Sequence, residues 1–319
     1  MISAAALQAS EAFRLQFQTA KPFRHVVIDD FLEPSACEAL LRDFPAFNEK
    51  YAADEHGGVG RKAVVERAAS ISPFYRSFHD YINSAPFLGA MSALTGIDDL
   101  ISDPTLFGGG THENLAGQGL NVHVDFNIDE RRMLHRRVNL LIYLNKEWDE
   151  AWGGAIELHS DPFNPLVDEW KSYLPLFNRA VLFETNEYSW HGFQRIVLPP
   201  GKTHLSRKSF SIYLYTKDRP PEEVVAPHTT FYVPEPLPEH IKAGRTLTDD
   251  DMRDIAIRMQ GRDGLLCMYQ KLLIEKEQRL RDFLQVAQRS PVHQAILSSR
   301  SRKLVMALQR LKYRLTHLV

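Results

Sequence analysis

The sequence predicts an α+β protein: a barrel or jelly roll of short strands, with helices before and after it. Three observations carry that prediction. Between about residues 100 and 216, the runs RRVNLLIYLN, GGAIELH, RAVLFET and KSFSIYLYT are rich in branched and aromatic residues, and Gly, Pro, Asn or Asp separate them. Such texture suits a barrel or jelly roll better than a βαβ sheet. The first hundred residues read as helical with short extended pieces, and the segment after GRTLTDDD turns helical to residue 319.

In order along the chain, HVVIDDFL (His25 to Leu32) reads as a strand and EPSACEALLRDFP as a helix, with Pro34 and Ser35 near its start and Pro45 past its end. The polar, glycine-bearing stretch from Tyr51 to Ser70 reads as a loop or hairpin and a candidate substrate lid, with a plain surface loop as the alternative. After the β-rich region, Pro220, Pro221, Pro227, Pro234, Pro236 and Pro238 exclude a helix interior or a central strand, so this segment reads as an extended strap. Thr248, followed by three aspartates, is a plausible N-cap with an acidic first turn. Leu304, Leu308, Leu311, Leu315 and Leu318 fall at heptad-like spacing, in a segment from Val286 to Val319 with seven Lys or Arg and no acid. The predicted division is 1–219 for the main domain, 220–245 for the strap and 246–319 for a helical extension. Its leucine stripe is expected to pack against the barrel or a helical partner, within the chain or in an oligomer; its basic character also permits docking to an anionic membrane surface or an acidic partner.

Composition narrows the function classes. A net charge of −2 offers no global field for nucleic acid. Two distant cysteines, Cys37 and Cys267, make neither a disulfide framework nor a Cys-rich zinc site, and they suit a reducing compartment. The first residues lack a basic region followed by an apolar one, so a cytoplasmic location is expected.

The chemistry-bearing stretch is NVHVDFNIDE (Asn121 to Glu130). In an extended segment side chains alternate, so His123 and Asp125 face the same way. Alone, such a pair is more often a satisfied polar pair than half of a metal site, and His159 with Asp161 forms a second one in a chain with 13 histidines. Asp161 precedes Pro162 and leaves its strand, which makes that pair the poorer candidate. Two histidines and a carboxylate with open positions are the usual holders of non-haem Fe(II). His191, flanked by aromatics in NEYSWHGFQRI, could complete such a set. Beyond it, Arg207, Ser209 and Ser211 share a strand face, and a guanidinium aimed into a barrel calls for an anion.

The ordered set His-x-Asp, Arg136-x6-Tyr143-Leu-Asn, KEW, WGG, His191 and Arg207 resembles the core of the 2-oxoglutarate- and Fe(II)-dependent dioxygenases, in their prolyl 4-hydroxylase-like branch. It covers residues 100 to 216 closely and FLEPSACEALLRDFP loosely. The resemblance implies a double-stranded β-helix (jelly-roll, cupin-like) core with supporting N-terminal helices. It implies His123, Asp125 and His191 as iron ligands, with Arg207 and Tyr143 on the distal carboxylate of 2-oxoglutarate and Asn139 lining the same pocket. Lys202, in the extended turn VLPPGKTH, is the rival of Arg207. The tyrosine that relatives carry before His-x-Asp has no match here, His112 being the nearest polar substitute. The implied reaction consumes O2 and 2-oxoglutarate, with ascorbate as a candidate reductant, and releases succinate and CO2. It hydroxylates an unactivated C–H bond, and Asp125 leaves no ligand position for a halide. The implied substrate is a prolyl residue of a polypeptide; the alternatives are a free amino acid or other small metabolite, and a non-catalytic jelly-roll binding or scaffold protein.

Overall fold

The computed structural model describes residues 1–52, 62–234, 237, 238 and 240–289. Residues 53–61 of the expected lid and the leucine stripe at 304–318 lie outside the described residues. The chain forms two compact units, Met1–Glu235 and Pro236–Val319. Most of the strap therefore belongs to the first unit, which runs past the expected boundary at 219.

The first unit opens with helices α1 (Ala4–Gln8) and α2 (Ser10–Thr19), strand β1 (His25–Ile28), helix α3 (Pro34–Arg42) and strand β2 (Lys62–Val65). Helices α4 (Pro73–Ile82) and α5 (Ala85–Thr95) follow. Each starts where a serine turns the chain: Ser72 and Ser84 accept hydrogen bonds from the amides of Tyr75 and Phe87, with a proline in the first turn. Gly96, at φ +74°, ends α5 in the left-handed conformation that favours glycine.

Ten strands then build the core: β3 (Gly110–Asn114), β4 (Leu120–Val124), β5 (Ile128–Asp129), β6 (Leu134–Tyr143), β7 (Ile156–His159), β8 (Trp170–Tyr173), β9 (Ala180–Glu184), β10 (Trp190–Phe193), β11 (Arg207–Thr216) and β12 (Phe231–Tyr232). The larger sheet has the order β1-β9-β6-β11-β3-β2, with β5 also paired to β6; the smaller has the order β12-β4-β10-β7-β8. Neighbouring strands in both sheets pair antiparallel. The architecture is a double-stranded β-helix, the fold that the four quoted β runs and the motif resemblance foretold.

Alternation along β6 and β11 separates two environments. Val138, Leu140, Ile142, Phe210, Ile212 and Leu214 face the helical layer and join Phe17, Phe78, Phe87 and Met91 in one core. Phe210 meets Phe78 edge-on, with ring centroids 5.1 Å apart. The opposite face looks between the sheets, where Tyr143, Val181 and Phe183 pack on Ile156 and Leu158 of β7. Arg207, Ser209 and Ser211 lie on that inner face and are buried. The helices thus stiffen the outside of one sheet, leaving the inter-sheet space for polar side chains.

The second unit contains α6 (Asp249–Arg289), a helix of 41 residues. Its expected start is present: the Thr248 hydroxyl accepts from the Asp251 amide at 3.2 Å, and the Asp251 carboxylate accepts from the Thr248 amide at 2.9 Å. Met252, Met259, Leu266, Leu273 and Leu280 recur every seven residues on it and are exposed. Among the described residues, no helix is long and apolar enough to cross a membrane.

Candidate metal centre

His123 and His191 stand directly opposite each other on the antiparallel neighbours β4 and β10. Opposed residues share a sheet face, and the two imidazoles meet in the interior with centroids 4.3 Å apart. The strands approach closely at Gly192, where a Cβ would lie 2.6 Å from the Leu120 carbonyl oxygen. Asp125 follows the last residue of β4 and turns back toward the imidazoles. Its Oδ1 lies 3.7 Å from His123 Nε2, and its Oδ2 lies 3.5 Å from His191 Nε2. One donor atom from each residue falls within 4.8 Å of the others, the sole such cluster of three or more His, Cys, Asp or Glu among the described residues.

Backbone carbonyls orient both rings. His123 Nδ1 lies 2.9 Å from the Asn121 oxygen and His191 Nδ1 lies 2.9 Å from the Ser189 oxygen. A nitrogen that close to a carbonyl carries the hydrogen, so each Nε2 presents its lone pair toward Asp125. Burial pushes the His123 pKa down to about 3 and lowers that of His191, so both rings stay neutral. Burial works the other way on Asp125, but the Arg136 guanidinium, helped by the hydrogen bond from Asn139, outweighs it and holds the carboxyl below the usual carboxylate range. Two neutral imidazoles and an ionised carboxylate converging from one side suit a divalent cation such as Fe(II).

Arg136 is the residue whose role sequence reasoning missed. It is almost wholly buried, its Nη2 lies 3.2 Å from Asp125 Oδ2, and its guanidinium sits 3.7 Å from the Tyr213 ring centroid and 4.6 Å from that of Phe126. Asn139 donates from Nδ2 to the same Oδ2 at 2.7 Å and accepts at Oδ1 from Arg136 Nε and Nη2 at 3.0 and 2.8 Å. The amide expected in the co-substrate pocket is therefore engaged with Asp125 and Arg136. Three positions apart, Arg136 and Asn139 belong on opposite faces of a regular strand. An irregularity in the β6–β11 register pairs Tyr215 with Arg136 and Leu214 with Val138, skipping Arg137, and so brings both side chains to one face.

Arg207 and Tyr143 meet deeper in the same interior. Arg207 donates from Nη2 to the Tyr143 hydroxyl at 3.0 Å and from Nε to the Gly154 carbonyl at 2.6 Å, with its guanidinium 4.2 Å from the Phe193 ring centroid. Among the described residues no carboxylate pairs with it, and burial lowers its pKa, partly offset by Tyr143. The WGG motif acquires a reason here. Gly154, at φ +72°, aims its carbonyl at the guanidinium, and a Cβ there would sit 3.0 Å from Trp148 and 3.3 Å from Arg207 Cδ. Lys202 instead pairs with Glu147 at the surface and is no rival for this interior position.

The second His-x-Asp does not form a pair: His159 Nδ1 bonds Asp168 at 2.6 Å, outside the cluster. His112 lies buried on β3, its Nε2 3.0 Å from the Gly108 carbonyl oxygen and its Nδ1 3.4 Å from the Ser211 hydroxyl.

Residues 110–215 match the family model of the 2OG-Fe(II) oxygenase superfamily. No curated protein matches the chain. Among solved structures, a prolyl hydroxylase of Trichoplax adhaerens in complex with a hypoxia inducible factor peptide fragment is 16% identical, covering 67% of this chain and 94% of that one at a TM-score of 0.46. A prolyl 4-hydroxylase of Phytophthora capsici is 21% identical, covering 81% and 75% at 0.46. HygX of Streptomyces hygroscopicus, with nickel, 2-oxoglutarate and hygromycin B bound, is 12% identical, covering 64% and 91% at 0.40. At such identities the substrates named for those proteins stay with those proteins.

Two outcomes follow from the site. Asn139→Ala should weaken divalent-metal binding about 10-fold or more by releasing Asp125, while the 2-oxoglutarate requirement at saturating metal stays unchanged; calorimetry with each ligand separates the two. The His112 pKa lies well below 6.5, chiefly through burial. The unfolded chain therefore takes up a proton that the folded chain refuses, and this share of stability, full above pH 6.5, declines as the pH falls. In urea unfolding from about pH 7.5 to about pH 5, the wild type should lose more stability than His112→Gln, the difference growing as the pH falls below the unfolded-state value.

Proposed function

We propose that this chain, whose residues 110–215 match the 2OG-Fe(II) oxygenase superfamily, is a 2-oxoglutarate- and Fe(II)-dependent dioxygenase that hydroxylates an unactivated C–H bond on a prolyl residue of a polypeptide. The observation that carries the reading is Arg207. It is a buried guanidinium with no carboxylate among the described residues, facing the same interior as the His123, Asp125 and His191 cluster. Burying an unpaired charge is expensive, and a dicarboxylate anchored on Arg207 would remove that expense.

His123, Asp125 and His191 would hold Fe(II), which with 2-oxoglutarate supplies the activation of O2 that yields succinate, CO2 and the hydroxylated product. The protein's own residues do the rest. Arg207 would bind the distal carboxylate of the co-substrate through its guanidinium fork. Tyr143, kept protonated because burial outweighs the pull of Arg207, has its hydroxyl hydrogen to donate to the same group. Arg136 and Asn139 hold Asp125 ionised and fixed by its Oδ2. The apolar walls from Phe183, Phe193 and Val181 keep the interior short of water, which strengthens each of these interactions.

The prolyl assignment rests on the ordered motif resemblance, Arg136-x6-Tyr143-Leu-Asn above all. Succinate release stimulated by proline-containing peptides, with one oxygen gained by the peptide, supports it; stimulation by free amino acids alone would transfer the reading to a small-metabolite hydroxylase. In the second unit, the exposed seven-residue repeat on α6 supports partner or oligomer contacts. Analytical ultracentrifugation should show fewer protomers per particle when residues 246–319 are removed, and an unchanged number would end that idea.

The central test is anaerobic addition of Fe(II) and 2-oxoglutarate, followed by the visible charge-transfer band of the chelate. The band should form in the wild type and vanish in His191→Ala. Arg207→Ala should need about 100-fold more 2-oxoglutarate, as expected for a buried charge pair losing one member. A folded wild type without a band would leave the scaffold reading in its place.

A further inference from the structure

The strap supplies a ring to the candidate metal centre. Tyr232 stands opposite His123 in the β12–β4 register and therefore points into the same interior. Its ring centroid lies 5.1 Å from that of His123 at 33°. His123 is 4.3 Å from His191, and His191 is 4.7 Å from Phe183 of the larger sheet. The imidazoles thus form the middle of a four-ring column whose ends are Phe183, on a strand of the core, and Tyr232, on the strap. Aromatic contacts at these separations are favourable and directional.

The strap is also built into the segments that carry the cluster. Asn127, two residues after Asp125, donates from Nδ2 to the Ala226 carbonyl at 3.0 Å and accepts from the His228 amide at 3.0 Å. His228 Nε2 lies 2.9 Å from Glu187, four residues before His191. The Val233 amide donates to the Val122 carbonyl at 2.7 Å, and Arg219 Nη2 donates to the Thr185 carbonyl at 2.9 Å. One extended segment therefore ties the end of β4 to the loop before β10.

We propose that Tyr232 is a positioning residue of the metal centre, fixing the His123 ring by stacking, so that the strap is a working part of the site and not a linker. Each ring has its Nδ1 held by a backbone carbonyl, which sets the tautomer but still permits the ring to tilt about that contact. A ring packed against the imidazole at 33° restricts the tilt, and the direction of the Nε2 lone pair depends on it. The hydroxyl has no part in this, so phenylalanine should serve as well as tyrosine.

The proposal rests on the metal reading above, and the experiment separates the two. Co(II) alone would be added anaerobically to the full-length wild type, Tyr232→Phe and Tyr232→Ala, reading the binding isotherm and the visible d–d spectrum, with thermal melting of the metal-free proteins beside it. Tyr232→Ala should bind Co(II) about 10-fold or more weakly with an altered d–d envelope, and Tyr232→Phe should match the wild type. If Tyr232→Ala does not fold, Tyr232→Leu takes its place and is read in the same way. Wild-type affinity and spectrum in Tyr232→Ala would overturn the proposal and leave the metal reading intact. Loss in Tyr232→Phe equal to that in Tyr232→Ala would also overturn it, because the hydroxyl would then carry the effect. A wild type that binds no Co(II) would overturn the metal reading and this proposal together.

Discussion

A carboxylate kept ionised away from water is the constraint around which this molecule is arranged. Asp125 must stay charged to serve a cation, yet the space between two sheets is a place where a lone carboxylate would rather be protonated. Arg136 resolves the conflict, and in doing so creates another, because a buried guanidinium needs support of its own. Asn139 accepts two of its hydrogen bonds, and the rings of Tyr213 and Phe126 cover its faces. The irregularity at Arg137 lets β6 present both Arg136 and Asn139 to one carboxylate oxygen.

Arg207 lives under the same rule without the same remedy. Its fixed neighbours are a phenol, a carbonyl and aromatic faces, all neutral. The interior therefore holds one guanidinium whose anion is part of the protein and one whose anion is not among the described residues. That asymmetry gives the two arginines different tasks, although both are buried and both lie on long central strands.

Much of this was legible in the sequence because it depends on period-two alternation. His123 with Asp125, and Arg207 with Ser209 and Ser211, follow from which way side chains point in an extended chain, and the four β runs announce themselves by composition. The capped start of α6 was legible too, since Thr248 and Asp251 bond locally. What stayed hidden depends on departures from regularity or on distant pairings. The engagement of Asn139 with Arg136 needs an extra residue in β6 that no alternation pattern reveals. The Gly154 carbonyl has no side chain to read. Six prolines correctly excluded a central strand from the strap, yet Phe231 and Tyr232 still form an edge strand beside His123, where only one side of the backbone has to pair.

The strap's bonds also bear on where an autonomously folding piece of this chain can end. Recognisable motifs stop near Thr216, and a cut there looks harmless on paper. It would strip the Asn127 amide of two partners and the Val122 and Thr185 carbonyls of one each. Each of these hydrogen bonds contributes about 0.5–1.5 kcal/mol net, against a total stability for an ordinary domain of only about 5–15 kcal/mol. Trimmed to its motifs, the β core would forfeit a sizeable share of its folding free energy at the very segments that hold its histidines, so the minimal folding unit is longer than the minimal chemical signature.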